Sequence, residues 1–332
     1  VSQVPAVLVE NLRVDYAEVT AVDGLDLSIE AGQIFGLVGP NGAGKTSTIR
    51  VLATLLEPTF GRVRVDGFDV IEQPEEARVR LGYMPDLAPV NPDLRVDEFL
   101  EFFDRSYGLP TEGRKARIDA AIAEVGLEGK RRSMAKNLSR GLTQRLVLAK
   151  TLLHQPTVLL LDEPASGMDP LARRELRDIL RRQARNGCAV LISSHILTEL
   201  ADMCTHVGVM RQGKLRATGS VADILSLVGE GIRDLRLESV EPIPGSLEDW
   251  VEAHAQVREW ESQGHSMRVR FEGDDRAVSE FLRELIESGY PIFRCEPTRP
   301  ALEDVLTSLS DEKSGSDSSN ATDTAKTEEA KG

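Results

Sequence analysis

Residues 138–164, LSRGLTQRLVLAKTLLHQPTVLLLDEP, constrain the fold more than any other stretch, because a glycine-containing helix start leads into a short apolar strand that ends in an acidic pair. Four consecutive apolar residues with no polar alternation suit a strand covered on both faces, and such strands belong to parallel sheets flanked by helices. A second unbroken run, IFGLV at 34–38, passes directly into GPNGAGKT at 39–46. A glycine-rich loop between a buried strand and a helix binds phosphate. The acidic pair indicates how that phosphate is used.

The rest of the first two thirds fits the same α/β frame. A third apolar strand is expected over 189–192, and a charged helix over 173–182 carries Leu176, Ile179 and Leu180 as its buried stripe. Alternating strands and helices imply a parallel sheet with covered faces. Upstream, 6–14 and 22–29 alternate apolar and polar residues in part and read as an antiparallel pair. A helix is expected over 48–56, a short strand over 63–65, and another strand over 81–86 before the loop LAPVNPD. Val96, Phe99, Leu100 and Phe103, then Ile118, Ala121, Ile122 and Val125, recur at helical spacing. They place a helical insertion over about 87–155, with its last helix opening near Ser139.

From about residue 220 the character changes. Alternation over 232–237 and 267–271, a helical stripe from Val278 to Ile286, and a run over 292–295 predict a small α+β domain over 221–310. The tail, 311–332, has no large apolar residue and is expected to be disordered. No apolar run approaches the roughly 18–20 residues of a membrane helix, and the N-terminus lacks a signal-peptide layout, so a soluble, cytoplasmic chain is expected. Cys188, Cys204 and Cys295 have no CxxC spacing and read as core fillers. A net charge of -14 disfavours nucleic acid as a partner.

The motifs carry specific chemistry. In the loop, Gly39, Gly42 and Gly44 let the N–H groups turn inward around a phosphate, with Pro40, Asn41 and Ala43 between them and Ser47 one residue beyond. The dipole of the following helix adds positive potential. Lys45 is expected to reach the β- and γ-phosphates, and the Thr46 hydroxyl to ligate Mg²⁺. Asp162 is placed to hold the same metal and Glu163 to polarise the attacking water as general base. His195 follows the strand AVLIS and Ser193-Ser194, where it could reach the γ-phosphate. Ser139 and Gly141 at a helix start form an anion site, yet Ser139 is equally a good helix N-cap.

These motifs, in this order, resemble the ATP-binding subunits of ABC transporters over roughly residues 6–220. The resemblance implies an α/β phosphate-loop ATPase core of the ABC type, with an antiparallel β subdomain and a helical subdomain, over 1–220. It implies ATP and Mg²⁺ as cofactors and assigns Tyr16 to stack on adenine, 39–46 to Walker A, and Asp162 with Glu163 to Walker B. It makes 138–142 the signature, 166–169 (SGMD) the D-loop and His195 the switch histidine. In that family two such domains meet head to tail, so Ser139, Gly141 and Asp169 would serve ATP held by the partner. The second subunit would be an identical copy or a paralogue, and both would sit peripherally on the cytoplasmic face of a transmembrane permease made as a separate chain.

The sequence departs from the pattern at three places. Arg140 and Leu142 replace a glycine and a glutamine of the usual signature, a variation that resembles drug-exporter subunits. Asp86 stands where a glutamine is usual; its carboxylate can still ligate Mg²⁺ but, when ionised, donates no hydrogen bond. RPALEDVLTSL at 299–309 resembles the ending of exporter-type subunits. The expected function is therefore an ATPase subunit that powers an exporter. The alternative is a soluble ABC ATPase acting on ribosomes or DNA, which the acidic balance and the absence of sustained heptads disfavour.

Overall fold

The computed structural model describes residues 4–87, 89–226 and 232–298. The segments 299–309 and 311–332 lie outside the described residues. Two compact units divide the chain, Val1–Val221 and Ala222–Gly332.

In the first unit a six-stranded sheet runs in the order Lys214–Ser220, His206–Arg211, Ile34–Val38, Ala189–Ser194, Val158–Leu161, Leu81–Met84. All pairings are parallel except the hairpin of the first two strands. Every residue of Ile34–Val38, Val158–Leu161 and Ala189–Ser194 is buried, which is why these runs do not alternate. Strands this dry end abruptly where polar side chains begin. Those ends carry the site.

The antiparallel sheet is ordered Val19–Ile29, Val7–Tyr16, Phe60–Val65, Phe68–Asp69. Val7, Val9, Leu12 and Val14 all point inward, although Val9 and Leu12 are out of phase. A register shift between them, with Asn11 at φ 49, reconciles the pattern. Asparagine tolerates that left-handed geometry, and the bulge returns Leu12 to the core.

The helix after the phosphate loop spans Lys45–Leu52, shorter than the expected 48–56. Thr54 N–H donates to the Val51 carbonyl and Leu55 N–H to the Arg50 carbonyl, a Schellman ending that turns on Thr54 at φ 59. A β-branched residue there is unusual, and nothing in the sequence announces the stop. The helical insertion contains Val96–Ser106, Arg114–Glu124 and Arg140–Leu152, followed in the chain by the helix Pro170–Arg185. Two short helices, Pro74–Arg80 and Leu197–Met203, and the hairpin 206–220 were not expected from the sequence.

The second unit has its own core around Leu235, Leu237, Met267, Val269, Phe271 and Phe281. Its strands are ordered Val257–Gln263, Ser266–Glu272, Ile232–Ser239, Ile292–Thr298, all antiparallel. With the helices Gly245–Ala253 and Asp275–Glu287 this is a doubled, split βαβ, the ferredoxin-like arrangement. Among the cysteines, Cys188 is buried and burial pushes its thiol pKa up to about 12.

Candidate active site

The site begins where Ile34–Val38 ends. Gly39 N–H donates to the Ser194 carbonyl at 3.3 Å, and Ala43 N–H to the Pro40 carbonyl at 3.1 Å, which closes the loop onto the next strand. Two glycines make this approach possible. A Cβ on Gly39 would lie 2.2 Å from the Met210 carbonyl oxygen, and one on Gly44, at φ +106, would lie 2.3 Å from that of Ala21. Gly44 caps the helix Lys45–Leu52, whose first turn has no acidic residue, so its positive end faces the loop.

Lys45 is 6% exposed. Its Nζ donates to the carbonyls of Gly39 and Pro40, at 2.7 and 3.2 Å, and lies 3.7 Å from Glu163 Oε1. Burial pulls the ammonium pKa below its ordinary value, and the charges of Glu163 and Asp162 oppose that pull. Asp162, also buried, takes its backbone register from the edge strand through its N–H to the Met84 carbonyl at 2.9 Å. Its Oδ1 accepts from Thr46 Oγ1 at 3.2 Å and from Ser193 Oγ at 2.6 Å.

Glu163 leaves the strand in the left-handed region, at φ 48. Its Oε2 is 2.9 Å from His195 Nδ1. An ionised carboxylate only accepts, so Nδ1 carries the proton in this pair. His195 Nε2 can then donate to a phosphate oxygen only as imidazolium. Asp86, in the turn after Leu81–Met84, faces the same space; burial and the charges of Asp162 and Glu163 raise its pKa, while Arg140 and His195 draw it back.

Together these groups line a pocket of about 490 Å³ that holds 41–47, Asp86, Asp162, Glu163 and His195. Gly39 and Pro40 lie beneath it as acceptors for Lys45. Tyr16 is on its margin, 40% exposed, with its hydroxyl 3.3 Å from Ser47 Oγ. Ser139, Gly141 and Asp169 are also absent from the lining and are engaged in helix starts. Ser139 caps the helix Arg140–Leu152 by accepting from Leu142 N at 3.5 Å, and Gly141 lies in its first turn. The Asp169 carboxylate caps Pro170–Arg185, accepting from Leu171 and Ala172 N–H at 2.9 Å each. Arg140 reaches Ser166, a lining residue, at 3.4 Å and packs its guanidinium on Gly167. Thr20 and Ser193 were missed by the sequence reading. The signal for Ser193 was a pair of hydroxyls, Ser193-Ser194, closing an apolar run.

A glycine-rich loop at one strand end, with a carboxylate at the end of a strand two places along the sheet, defines a phosphate-loop nucleotide-binding protein. Comparison with known proteins narrows the class. A family model described as ABC transporter matches residues 22–166, and an AAA domain model matches 134–202. The chain is 35% identical over 226 residues to Nod factor export ATP-binding protein I of Ralstonia nicotianae, covering 68% of this chain and 70% of that protein. It is 35% identical over 224 residues to the daunorubicin resistance ATP-binding protein DrrA3 of Streptomyces coeruleorubidus, covering 68% and 71%. Among solved structures, an ATP binding subunit of an ABC transporter matches with a TM-score of 0.60 at 28% identity, over 66% of this chain and 91% of that one. The CbiO1 structure from Clostridium perfringens, at 24% identity and TM-score 0.62 over 68% and 92%, shares the fold. The chain belongs to the ABC transporter family as an ATP-binding, ATP-hydrolysing subunit. Among the described residues no helix is long and apolar enough to cross a membrane.

Proposed function

We propose that this chain drives an exporter whose permease is a separate chain, and that it works as one half of a pair with Mg·ATP held between two subunits. The observation that carries this reading is the division of the site residues. Lys45, Thr46, Asp162, Glu163 and His195 share one pocket, whereas Ser139 and Gly141 open a helix outside its lining. A nucleotide seated on Lys45 therefore receives the signature residues from a second chain, a copy or a paralogue. Export as the direction is taken from the two relatives, named for Nod factor export and daunorubicin resistance.

The roles follow from the contacts. Walker A N–H groups and Lys45 hold the phosphates, and Tyr16 offers a ring for adenine. Thr46 Oγ1 and Asp162 Oδ1, 3.2 Å apart, are hard oxygen donors of the kind Mg²⁺ shares with phosphate and water. Asp86, in the turn after the edge strand, would be a further oxygen donor to that ion. Bound there, Mg²⁺ supplies charge neutralisation on the phosphate oxygens. Glu163 accepts a proton from the attacking water, and His195 fixes the orientation of that carboxylate. ATP closes the pair, hydrolysis releases it, and the motion passes to the permease at the cytoplasmic face of the membrane.

The test is the Glu163→Gln chain. It should dimerise on ATP in size-exclusion chromatography with light scattering, and hydrolysis should fall by about 10²–10⁴. A chain that stays monomeric with ATP removes the pairing, and a loss under about tenfold removes Glu163 as general base. Recovery with ribosomes instead of a polytopic membrane protein would reverse the choice of partner.

A further inference from the structure

We propose that Ser193 is a positioning residue for hydrolysis: its hydroxyl locks the Asp162–Glu163 pair in the geometry the reaction uses. The parallel ladder between Val158–Leu161 and Ala189–Ser194 has its last paired residues at Leu161 and Ile192. One step further on each strand, the backbone no longer pairs across this gap. The Ser193 hydroxyl takes over. It donates to Asp162 Oδ1 at 2.6 Å and accepts the Glu163 N–H at 2.9 Å. Its exposure is 0%, so water cannot substitute for either bond without entering a packed interior.

Both bonds act on groups with assigned work. The first fixes the rotamer of Asp162 on the oxygen that also meets Thr46 Oγ1. The second holds Glu163 at φ 48, a conformation that costs a non-glycine residue free energy and persists only where its surroundings enforce it. From that backbone the Glu163 side chain reaches both Lys45 and His195. A serine, unlike a carboxylate or an amide, can donate and accept through one small atom, so a single hydroxyl makes both bonds. Valine or isoleucine would suit the strand equally well and would leave the Glu163 N–H without a partner.

This inference rests on Glu163 as general base, and the experiment separates the two ideas. Single-turnover phosphate release and binding of a fluorescent ATP analogue are measured for the full chain, for Ser193→Ala, and for the volume-matched pair Ser193→Thr and Ser193→Val. Ser193→Ala should lower the rate by about tenfold to a hundredfold, as expected when a reacting group is loosely held, while analogue affinity stays within about twofold. Threonine, which keeps the hydroxyl, should exceed valine in rate by at least about tenfold. In a Glu163→Gln background the loss on Ser193→Ala should shrink severalfold, because the Glu163 carboxylate is gone and only the positioning of Asp162 remains. Equal rates for the threonine and valine chains, or the same fold-loss with and without Glu163, would overturn the role of Ser193. A Glu163→Gln chain with nearly full activity would instead overturn the general base.

Discussion

At the scale of single residues, Gly44 and Glu163 in the site hold left-handed geometry for opposite reasons. Gly44, at φ +106, has no space for a side chain: a Cβ would meet the Ala21 carbonyl oxygen at 2.3 Å and Met210 Cε at 2.6 Å. Gly44→Ala should therefore destabilise the chain by at least about 2 kcal/mol, the strain of the conformation plus the clash. It should also weaken nucleotide binding, since the loop N–H groups turn on that residue. Urea unfolding and titration with a fluorescent nucleotide check both; an unchanged midpoint would mean the loop can relax around a methyl group. Glu163 is left-handed without being glycine, and hydrogen bonds enforce it. This contrast marks what the sequence disclosed. Gly39, Gly44, Lys45, Thr46, Asp162 and Glu163 stood out in the sequence as candidates because phosphate chemistry calls for such residues at fixed local spacing. Ser193 did not, because its partners lie 30 and 31 positions away and a serine in an apolar strand has no local signature.

At the scale of elements, the helix Val96–Ser106 combines a legible stripe with an illegible one. Val96, Phe99 and Leu100 are buried as their spacing predicts, but the stripe continues to Asp104, which is fully buried. Two arginines explain the exception: Arg114 Nε lies 2.7 Å from Oδ1 and Arg117 Nε lies 2.9 Å from Oδ2. Burial by itself raises the carboxyl pKa, but the hydrogen bonds from Arg117 and Arg114 outweigh it and hold the group below its ordinary value. A folded pKa below the unfolded one stabilises the protein above an unfolded carboxylate pKa of about 3.9, and that contribution is lost as pH falls through the folded value. Asp104→Asn should thus cost about 2–3 kcal/mol at pH 7, the scale of hydrogen bonds to a charged group. The deficit should narrow below about pH 4 as the parent's own carboxyl protonates. Urea unfolding of both chains across that range checks it, and a deficit independent of pH would rule out the charge as its source. The early end of Lys45–Leu52 and the bulge at Asn11 were illegible for a related reason. Each depends on carbonyls and neighbours that a period count does not see.

At the scale of the whole chain, the sequence change near residue 220 coincides with a change of core. One hydrophobic cluster joins the antiparallel sheet to the parallel one, running from Val7 and Leu27 through Ile49 to Val158 and Leu191. Another, among the described residues, lies entirely within the ferredoxin-like unit, from Leu235 to Leu285. The two clusters have no residue in common, and every residue lining the phosphate-loop pocket belongs to the first unit. A unit with its own core and a complete pocket should fold without the other. We therefore expect a fragment ending at residue 221 to stay soluble, to unfold in one cooperative step, and to bind a fluorescent ATP analogue within about twofold of the full chain. The full chain should show a second calorimetric transition that the fragment lacks. Calorimetry and nucleotide titration of both proteins decide it: an aggregated fragment, or one that has lost the nucleotide, would mean that the second unit completes the fold of the first.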